Sequence, residues 1–106
     1  MKVLRMESDM IGIDLVKIDR FKKSKDSLIK KIFSEKEIRE AKLGIFYKKL
    51  AGKWAVKEAA YKAGIKNKIE VLNVNEKPCI FINQKIYNAQ ISLSHEKEYA
   101  IAIVFH

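Results

Sequence analysis

The spacing of apolar residues changes at Gly64, and this change limits the chain to one class of fold. Before Gly64, apolar residues recur at helical spacing, and the longest such stretch runs from Ile45 to Ala63. Glycine readily adopts the left-handed conformation that ends helices, so Gly64 is the predicted end of that helix. After it come short β-branched and aromatic runs separated by turn residues: 69–74, 79–82, 89–94 and 99–105. These patterns predict one α+β domain over 1–106, with a largely antiparallel sheet packed against the long helix.

In the N-terminal half, the spacing of apolar residues predicts one strand followed by short helices. Residues 10–16 form an apolar run that is typical of a buried strand, with Asp14 near its end. Apolar residues across 18–32 recur at roughly helical spacing, which indicates one broken helix or two short ones. The Ser-Glu-Lys-Glu sequence at 34–37 is a capping box, and it predicts a further short helix to about Lys42.

The chain is strongly basic, with 22 Lys and Arg residues against 13 Asp and Glu, a formal net charge of +9. Such a surface attracts nucleic acid, anionic membranes or acidic proteins, so the total charge selects no partner. The placement of the charge is more informative, because residues 17–31 alone carry a net +5. We call this range the basic segment and identify it as a candidate docking surface. Its cations are Lys17, Arg20, Lys22, Lys23, Lys25, Lys30 and Lys31.

The composition excludes several classes of protein. The single cysteine, Cys79, allows no intrachain disulfide, and with only His95 and His106 a Cys/His zinc site is not expected. No apolar run reaches the roughly 18 residues that a membrane helix needs. The N-terminal apolar stretch is too short for a signal peptide. We therefore expect a cytoplasmic protein.

One carboxylate stands where the long helix is otherwise apolar. On a helical wheel, Glu58 falls in a sector with six apolar residues, and Lys62 lies one turn beyond it. An ionised carboxylate on an apolar face is costly unless a cation or metal ion compensates it. Glu58 therefore forms either an i,i+4 salt bridge with Lys62 or part of a functional site, and the wheel alone favours the salt bridge. The six apolar residues are Phe46, Tyr47, Leu50, Ala51, Trp54 and Tyr61.

Asp14 supplies a second carboxylate, directly after the apolar residues 11–13. It could cap the following helix, which is a common use of aspartate, or point into a site, and both roles can coexist. Two carboxylates without a Cys or His cluster suit Mg²⁺, which fills its other positions with water and substrate phosphates. Lysines on the long helix would suit a polyphosphate: Lys53, Lys57 and Lys62.

Three segments, in order and correctly spaced over most of the chain, resemble the holo-acyl-carrier-protein synthase family of 4′-phosphopantetheinyl transferases. Residues 11–21 are similar to the family pattern G-I/L-D-x-x-x-I/L-x-R-I/F. Residues 50–63 are similar to L-A-G-R-F-A-x-K-E-A-x-x-K-A, and residues 91–102 to S-x-S-H-x-x-x-Y-A-x-A. The sequence at 33–37 and the Lys-Pro turn at 77–78 also fit the family.

The resemblance implies a fold, a reaction and an assembly. The reaction is the transfer of 4′-phosphopantetheine from coenzyme A to a serine of an acidic apo acyl carrier protein, with release of adenosine 3′,5′-bisphosphate. The fold is the α+β 4′-phosphopantetheinyl transferase fold, with short helices in the N-terminal half. The assembly is a homotrimer with each active site at a subunit interface. Nucleic acid and membranes are then not expected as partners.

The resemblance also implies a role for individual residues. Asp14 and Glu58 would hold Mg²⁺, and Lys62 would add a second positive charge against the leaving phosphate. The base that takes the serine proton stays open between Glu58 and a metal-bound water. Two further sets would contact coenzyme A (Lys53, Lys57, Ser94 and His95) and the carrier protein (Lys17 and Arg20). Without the motif, His95 would be interpreted as a turn residue that caps the following strand.

The chain departs from the family pattern at three places. Lys53 stands where the family usually has Arg, which would change a bidentate phosphate contact into a point-charge contact. Trp54 replaces a Phe, and the loop 64–69 is shorter than in the family, which would affect the adenine pocket or the trimer contact.

Two competing interpretations come from the charge and from the family itself. A small nucleic-acid-binding domain would use the charge together with aromatic residues. However, Tyr47, Trp54 and Tyr61 lie on a core-like helix face rather than on an exposed stacking platform. An inactive family member kept as an assembly partner is the other interpretation, and the intact Asp14, Glu58 and Lys62 argue against it.

Overall fold

The computed structural model describes residues 10–106, and the N-terminal stretch used for the signal-peptide prediction lies outside this range. The helices are α1 (Asp19–Lys22), α2 (Asp26–Ile32), α3 (Glu35–Ala41) and α4 (Phe46–Lys62). The strands are β1 (Ile11–Lys17), β2 (Glu70–Val74), β3 (Lys77–Ile82), β4 (Lys85–Tyr87), β5 (Gln90–Glu96) and β6 (Tyr99–Phe105). All described strand pairs are antiparallel, in two sheets of order β1-β6-β5 and β2-β3-β4. The α+β prediction is confirmed, whereas the prediction of one sheet is wrong.

The first sheet, β1-β6-β5, buries one face and exposes the other. Along β1, Gly12 and Val16 are buried. The side chains on the opposite face are more than half exposed: Ile11, Ile13 and Leu15. The strand predicted at 10–16 is confirmed, but only one of its faces is buried, because side chains alternate between the two faces. Asp14 lies at the centre of β1, opposite Ala102, rather than near the strand end.

Helix α4 lies at the core because it contacts both sheets as well as α1 and α3. Its buried residues therefore surround most of the helix: Leu50, Ala51, Gly52, Lys53, Ala55, Val56, Ala59 and Ala60. The apolar sector of the wheel is only partly buried, since it contains Leu50 but also Tyr61, which is 56% exposed. Lys53, outside the sector, is 5% exposed. The predicted bounds are confirmed to one residue, and Gly64 has the expected positive φ of 94°.

Gly12 allows β1 to approach α4 backbone to backbone. A Cβ atom at this position would lie 1.9 Å from the carbonyl oxygen of Ala59 and 2.7 Å from the amide nitrogen of Ala63. No residue with a side chain fits at that distance. Asp14 is two residues further along the same strand face, so the close approach also brings its carboxylate to the helix.

The segment 18–32 forms two short helices, α1 and α2, which is the second of the two predicted alternatives. Helix α3 begins at the predicted capping box: the Glu37 amide donates to Ser34 Oγ (3.2 Å), and the Ser34 amide donates to Glu37 Oε1 (2.9 Å). Asp14 does not cap α1, whose N-cap is Ile18 and has no side-chain cap, so that alternative is wrong. All seven cations of the basic segment are exposed.

The second sheet contains one strand that the sequence pattern did not predict. Strand β4 is only three residues long and pairs with β3 after a turn at Asn83 and Gln84, both with positive φ. Such a turn matches the twist of a hairpin. Across residues 10–106, no helix has both the length and the hydropathy that crossing a membrane requires.

Candidate active site

Asp14 and Lys62 meet where β1 packs against α4, one helical turn from Glu58. The Lys62 ammonium lies 2.8 Å from Asp14 Oδ1 and also donates to the carbonyl of Ile13 (3.1 Å). Glu58 is one helical turn before Lys62, so the two side chains share a face of α4. The Glu58–Lys62 salt bridge favoured by the wheel is wrong, because Lys62 pairs with Asp14 instead. The structure therefore joins Lys62 to Asp14, and helical spacing places Glu58 on the same side of α4 as Lys62.

The donor set at this place fits a hard cation. Within residues 10–106, no group of three or more His, Cys, Asp and Glu side chains could hold a metal ion by itself. An ion held by Asp14 and Glu58 alone would keep most of its coordination positions for water and substrate oxygens. That is the coordination Mg²⁺ prefers in proteins. Asp14 and Glu58 fit the ion, and their role as its ligands stays a prediction.

Two adjoining clefts lead away from Glu58. The smaller, about 190 Å³, is lined by Glu58 and Tyr61, and the larger, about 600 Å³, lies among α2, α3 and the segment before β2. They share a wall made by four residues: Ile32, Lys57, Lys68 and Ile69. We call the two clefts together the basic groove. The larger cleft is lined by three carboxylates and six cations: Glu35, Glu37, Glu70, Lys30, Lys31, Arg39, Lys42, Lys57 and Lys68.

Lys53 and Lys57 donate hydrogen bonds to backbone carbonyls along the edge of β2 that does not pair with β3. Lys57 Nζ donates to the carbonyl at Ile69 (2.9 Å), and Lys53 Nζ donates to the carbonyl at Val71 (2.7 Å). The other edge of β2 pairs with β3. Both ammonium groups are thus engaged within the protein, Lys57 at the wall of the basic groove and Lys53 in a separate cleft. A contact of either lysine with coenzyme A stays a prediction.

Two carboxylates of α3 complete this edge. The amides of Val71 and Asn73 donate to Glu37 Oε2 (2.8 Å) and to both oxygens of Glu40 (3.1 Å). Each carboxylate also pairs with one lysine: Glu37 with Lys57 at 2.9 Å, and Glu40 with Lys53. Four side chains of α3 and α4 therefore take the place of a neighbouring strand, and they fix α4 relative to the second sheet.

The sequence analysis missed Glu40 and recognised Glu37 only as a capping residue. A signal was present, since two glutamates at i,i+3 on α3 match two lysines at i,i+4 on α4. That spacing places each pair on one helix face, but it does not say that the two faces meet. Only the tertiary structure joins them.

Ser94 and His95 are neighbours in β5 and therefore point to opposite faces of the first sheet. His95 faces α4, where its Nε2 lies 3.2 Å from the Lys48 carbonyl oxygen and its ring fills the space beside Gly52. Ser94 is exposed on the outer face. The interpretation of His95 as a turn residue is wrong, because it lies inside a strand. Within one chain, the two side chains do not form a common site.

The surroundings of His95 favour its neutral form. Burial lowers the pKa of His95, and the nearby charges of Lys48 and Lys49 lower it further, while the hydrogen bond to the Lys48 carbonyl acts in the opposite direction. His95 and Lys53 line the same small cleft of about 170 Å³, together with Lys49. This cleft is distinct from the basic groove.

The two predicted carrier-contact residues lie on the surface. Lys17 ends β1 opposite Tyr99 and is exposed on the outer face of the first sheet. Arg20 is exposed on α1, with its guanidinium carbon 5.6 Å from the centroid of the Trp54 ring. Trp54 itself packs against Phe21 at 6.5 Å, so it offers no open stacking platform for a nucleic acid base.

Comparison with known proteins finds one family. The model of the 4′-phosphopantetheinyl transferase superfamily matches residues 10–104. The holo-[acyl-carrier-protein] synthase of Mycoplasma mycoides is 44% identical over 100 residues, covering 88% of this chain and 89% of the relative. The synthase of Mycoplasma mobile is 40% identical over 96 residues, covering 90% and 86%.

Two solved structures have the same fold. A holo-(acyl-carrier-protein) synthase from Bacillus anthracis, in complex with CoA (3′,5′-ADP), has a TM-score of 0.74 and 31% identity, covering 90% of this chain and 92% of that one. The holo-[acyl-carrier-protein] synthase of Helicobacter pylori, in complex with coenzyme A, has a TM-score of 0.73 and 29% identity, covering 91% and 98%.

Proposed function

Because the chain belongs to the 4′-phosphopantetheinyl transferase superfamily, we propose that it is a holo-acyl-carrier-protein synthase. It transfers the 4′-phosphopantetheine group of coenzyme A to a serine of an apo acyl carrier protein and releases adenosine 3′,5′-bisphosphate. The identity to synthases over nearly the whole chain supports this reaction.

The basic groove is the observation within this chain that carries the proposal. It begins at Glu58, passes Lys57 and Lys68, and ends at Lys30 and Lys31 of the basic segment. Cations outnumber carboxylates along its larger part, which suits a polyphosphate ligand. One end of the groove adjoins the predicted metal ligand, and the other adjoins the predicted carrier-docking surface. A phosphorylated donor and an acidic acceptor could therefore meet in it.

The reaction forms one bond and breaks another. The serine oxygen of the carrier bonds to the phosphorus that bears the pantetheine, and the bond from that phosphorus to the bridging pyrophosphate oxygen breaks. Mg²⁺, held by Asp14 and Glu58, would supply positive charge against the pyrophosphate when bound. The Lys62 ammonium, 2.8 Å from Asp14, supplies a second positive charge at the same place. Glu58 is the residue of this chain that could accept the serine proton.

The outer face of the first sheet supports the proposed homotrimer. Seven large apolar side chains are exposed there, and contiguous apolar patches of this kind mark protein interfaces. Lys17 and Ser94 share this face, so a second copy seated on it would bring them to the neighbouring subunit. The apolar side chains are Ile11, Ile13, Leu15, Tyr99, Ile101, Ile103 and Phe105.

The basic segment supports an acidic carrier protein as the acceptor. Its seven cations are exposed on α1, α2 and the adjoining ends of β1 and the loops. Complementary charge raises the association rate and suppresses wrong partners more than it adds affinity. We propose Arg20 and Lys17 as carrier contacts within it.

Mass spectrometry of the carrier tests the function directly. The protein is incubated with coenzyme A, Mg²⁺ and an apo acyl carrier protein, and the carrier should gain the mass of one 4′-phosphopantetheine group. EDTA and the Glu58→Ala substitution should each abolish the gain. Glu98→Ala, which removes an exposed carboxylate in the β5–β6 turn, should leave it intact. No gain with several different carriers would contradict the proposal.

A further inference from the structure

Trp54 connects the basic segment to the helix that carries Glu58. It is the single tryptophan of the chain and lies on α4, one turn before Glu58. Its ring makes edge contacts with Phe21 (6.5 Å) and Phe33 (6.4 Å), and those two rings contact each other at 5.4 Å. The three rings form a packed cluster, so the orientation of the indole is fixed by its neighbours.

Arg20 lies over this cluster. Its guanidinium carbon is 5.6 Å from the centroid of the Trp54 ring and 5.9 Å from that of Phe21. Both distances are within the range of a cation–π contact, and tryptophan is the strongest aromatic partner for one. A guanidinium carries five N–H donors, so those that do not face the rings stay available for a carboxylate.

Arg20 differs from the other cations of the basic segment in its contact with aromatic rings. Across residues 10–106, it makes no ion pair, and it is the only one of the seven whose charge lies over an aromatic ring. Its neighbour Lys22 instead pairs with Asp19 at 3.7 Å. A side chain that is held in place before binding loses less rotational freedom when a partner arrives.

We infer that Trp54 is a positioning residue for carrier recognition, which holds the Arg20 guanidinium in place to receive a carboxylate of the carrier protein. This inference rests on the proposed function, since it assumes that the basic segment docks the carrier. Trp54 acts through Arg20 and contacts neither the carrier nor coenzyme A. The expected effect is therefore confined to the affinity for the carrier.

Steady-state kinetics of a double-mutant cycle tests the inference. Trp54→Leu should raise the KM for apo carrier about two- to fivefold, the size of an exposed cation–π contact, with kcat and the KM for coenzyme A unchanged. Trp54→Phe, which keeps an aromatic ring, should raise the KM for apo carrier less than Trp54→Leu does. In an Arg20→Gln background, Trp54→Leu should have no further effect on the KM for carrier. Tyr47→Leu is the matched control, since this helix aromatic contacts Phe46 and, within the described residues, no cation.

Each alternative outcome overturns a different statement. If Trp54→Leu raises the carrier KM equally with and without Arg20, Trp54 does not act through Arg20. If Arg20→Gln leaves the carrier KM unchanged while transfer proceeds, Arg20 is not a carrier contact and the inference fails, but the transferase function stands. If the wild-type protein transfers nothing, the proposed function fails and the inference fails with it.

The fluorescence of Trp54 provides a measurement that needs no core substitution. Titration with a tryptophan-free apo carrier should change the emission of the wild-type protein, because a carboxylate at Arg20 alters the charge beside the indole. The Arg20→Gln protein should show a smaller change at saturation. An equal change in both proteins would overturn the inference.

Discussion

The carboxylate of Asp14 and the ammonium of Lys62 form an ion pair of 2.8 Å, 48 residues apart in the chain. One partner is a predicted metal ligand, and the other is the predicted second cation of the reaction. The pair forms across the contact between β1 and α4 that Gly12 allows. In the absence of a divalent ion, Lys62 thus balances the charge of Asp14, and a bound ion would compete with it.

Lys62→Met should therefore separate metal binding from turnover. Removal of the ammonium relieves repulsion of a cation at Asp14, so the Mg²⁺ concentration for half-maximal rate should fall several-fold. The kcat should fall about 100-fold, because a positive charge near the pyrophosphate is lost. Initial rates measured against Mg²⁺ concentration give both quantities. Lys66→Met, which removes a lysine that lies over the Tyr61 ring, should change neither. An unchanged or higher Mg²⁺ requirement in Lys62→Met would contradict competition at Asp14.

Gly12→Ala should destabilise the protein by about 3 kcal/mol or more, because overpacking against a rigid backbone cannot be relieved by a rotamer change. The added Cβ would lie 1.9 Å from the carbonyl oxygen of Ala59. Gly44→Ala is the control, since its Cβ would meet only the flexible Lys49 side chain, 2.9 Å from Cε. Urea unfolding measures the free energy of both variants. Similar stability of the two would show that β1 and α4 can separate without cost.

The helices were largely predictable because their signals are local. The capping box at Ser34, the left-handed Gly64 and the apolar spacing of α4 each depend on a few neighbouring residues. Strand β4 pairs locally with β3, but its three residues are too few to show an alternating pattern. The division into two sheets depends on pairing between distant residues, which composition does not encode. The helical wheel also gave an incomplete buried face for α4. It assumes that one face is buried, whereas this helix packs against two sheets.

The residues of the candidate site could be proposed from the sequence, but the contacts that they make could not. Asp14 and Glu58 were recognisable because a carboxylate in an apolar setting is unusual. That Lys62 pairs with Asp14, and that Lys53 and Lys57 bond the edge of β2, could not be read from helical spacing. Those contacts join residues more than ten positions apart, so only the packing of the elements decides them.

Glu37→Gln should cost about 3 to 5 kcal/mol of folding free energy, the range for breaking a buried ion pair. Glu37 is fully buried, and its two oxygens accept bonds from Ser34, Val71 and Lys57. Donors face both oxygens, so the amide NH₂ of glutamine meets a donor in either orientation. Urea unfolding measures the loss.

Glu70→Gln is the control for this substitution. The Glu70 carboxylate accepts one hydrogen bond from the Ser34 hydroxyl, which a glutamine oxygen can also accept. Its loss should stay within about 1 kcal/mol. If the two variants lose the same stability, Glu37 does not hold α3 to β2 as its contacts indicate.

Folding stability should depend on pH through His95. Its pKa is lowered in the folded state, chiefly by burial and then by Lys48 and Lys49, whereas in the unfolded chain it stays near 6.5. The unfolded state therefore takes up the proton first, so the contribution of His95 is complete above about pH 6.5 and is lost as the pH falls below it. His95→Asn removes this dependence. The difference in unfolding free energy between wild type and variant should shrink from pH 8 to pH 5.5; a constant or growing difference would contradict the lowered pKa.

Ile103→Glu should dissociate the proposed trimer. Ile103 lies opposite Ile13 at the centre of the exposed apolar face, so a carboxylate there would be buried without a partner in an assembly of this face. Sedimentation velocity should show a lower mass, and transfer activity should fall with it if each active site lies at a subunit interface, as the family resemblance implies. Ile86→Glu is the control, since it makes the same change at an exposed isoleucine of β4 in the second sheet. It should leave mass and activity unchanged. An unchanged mass of Ile103→Glu would show that copies of this chain do not associate through the first sheet.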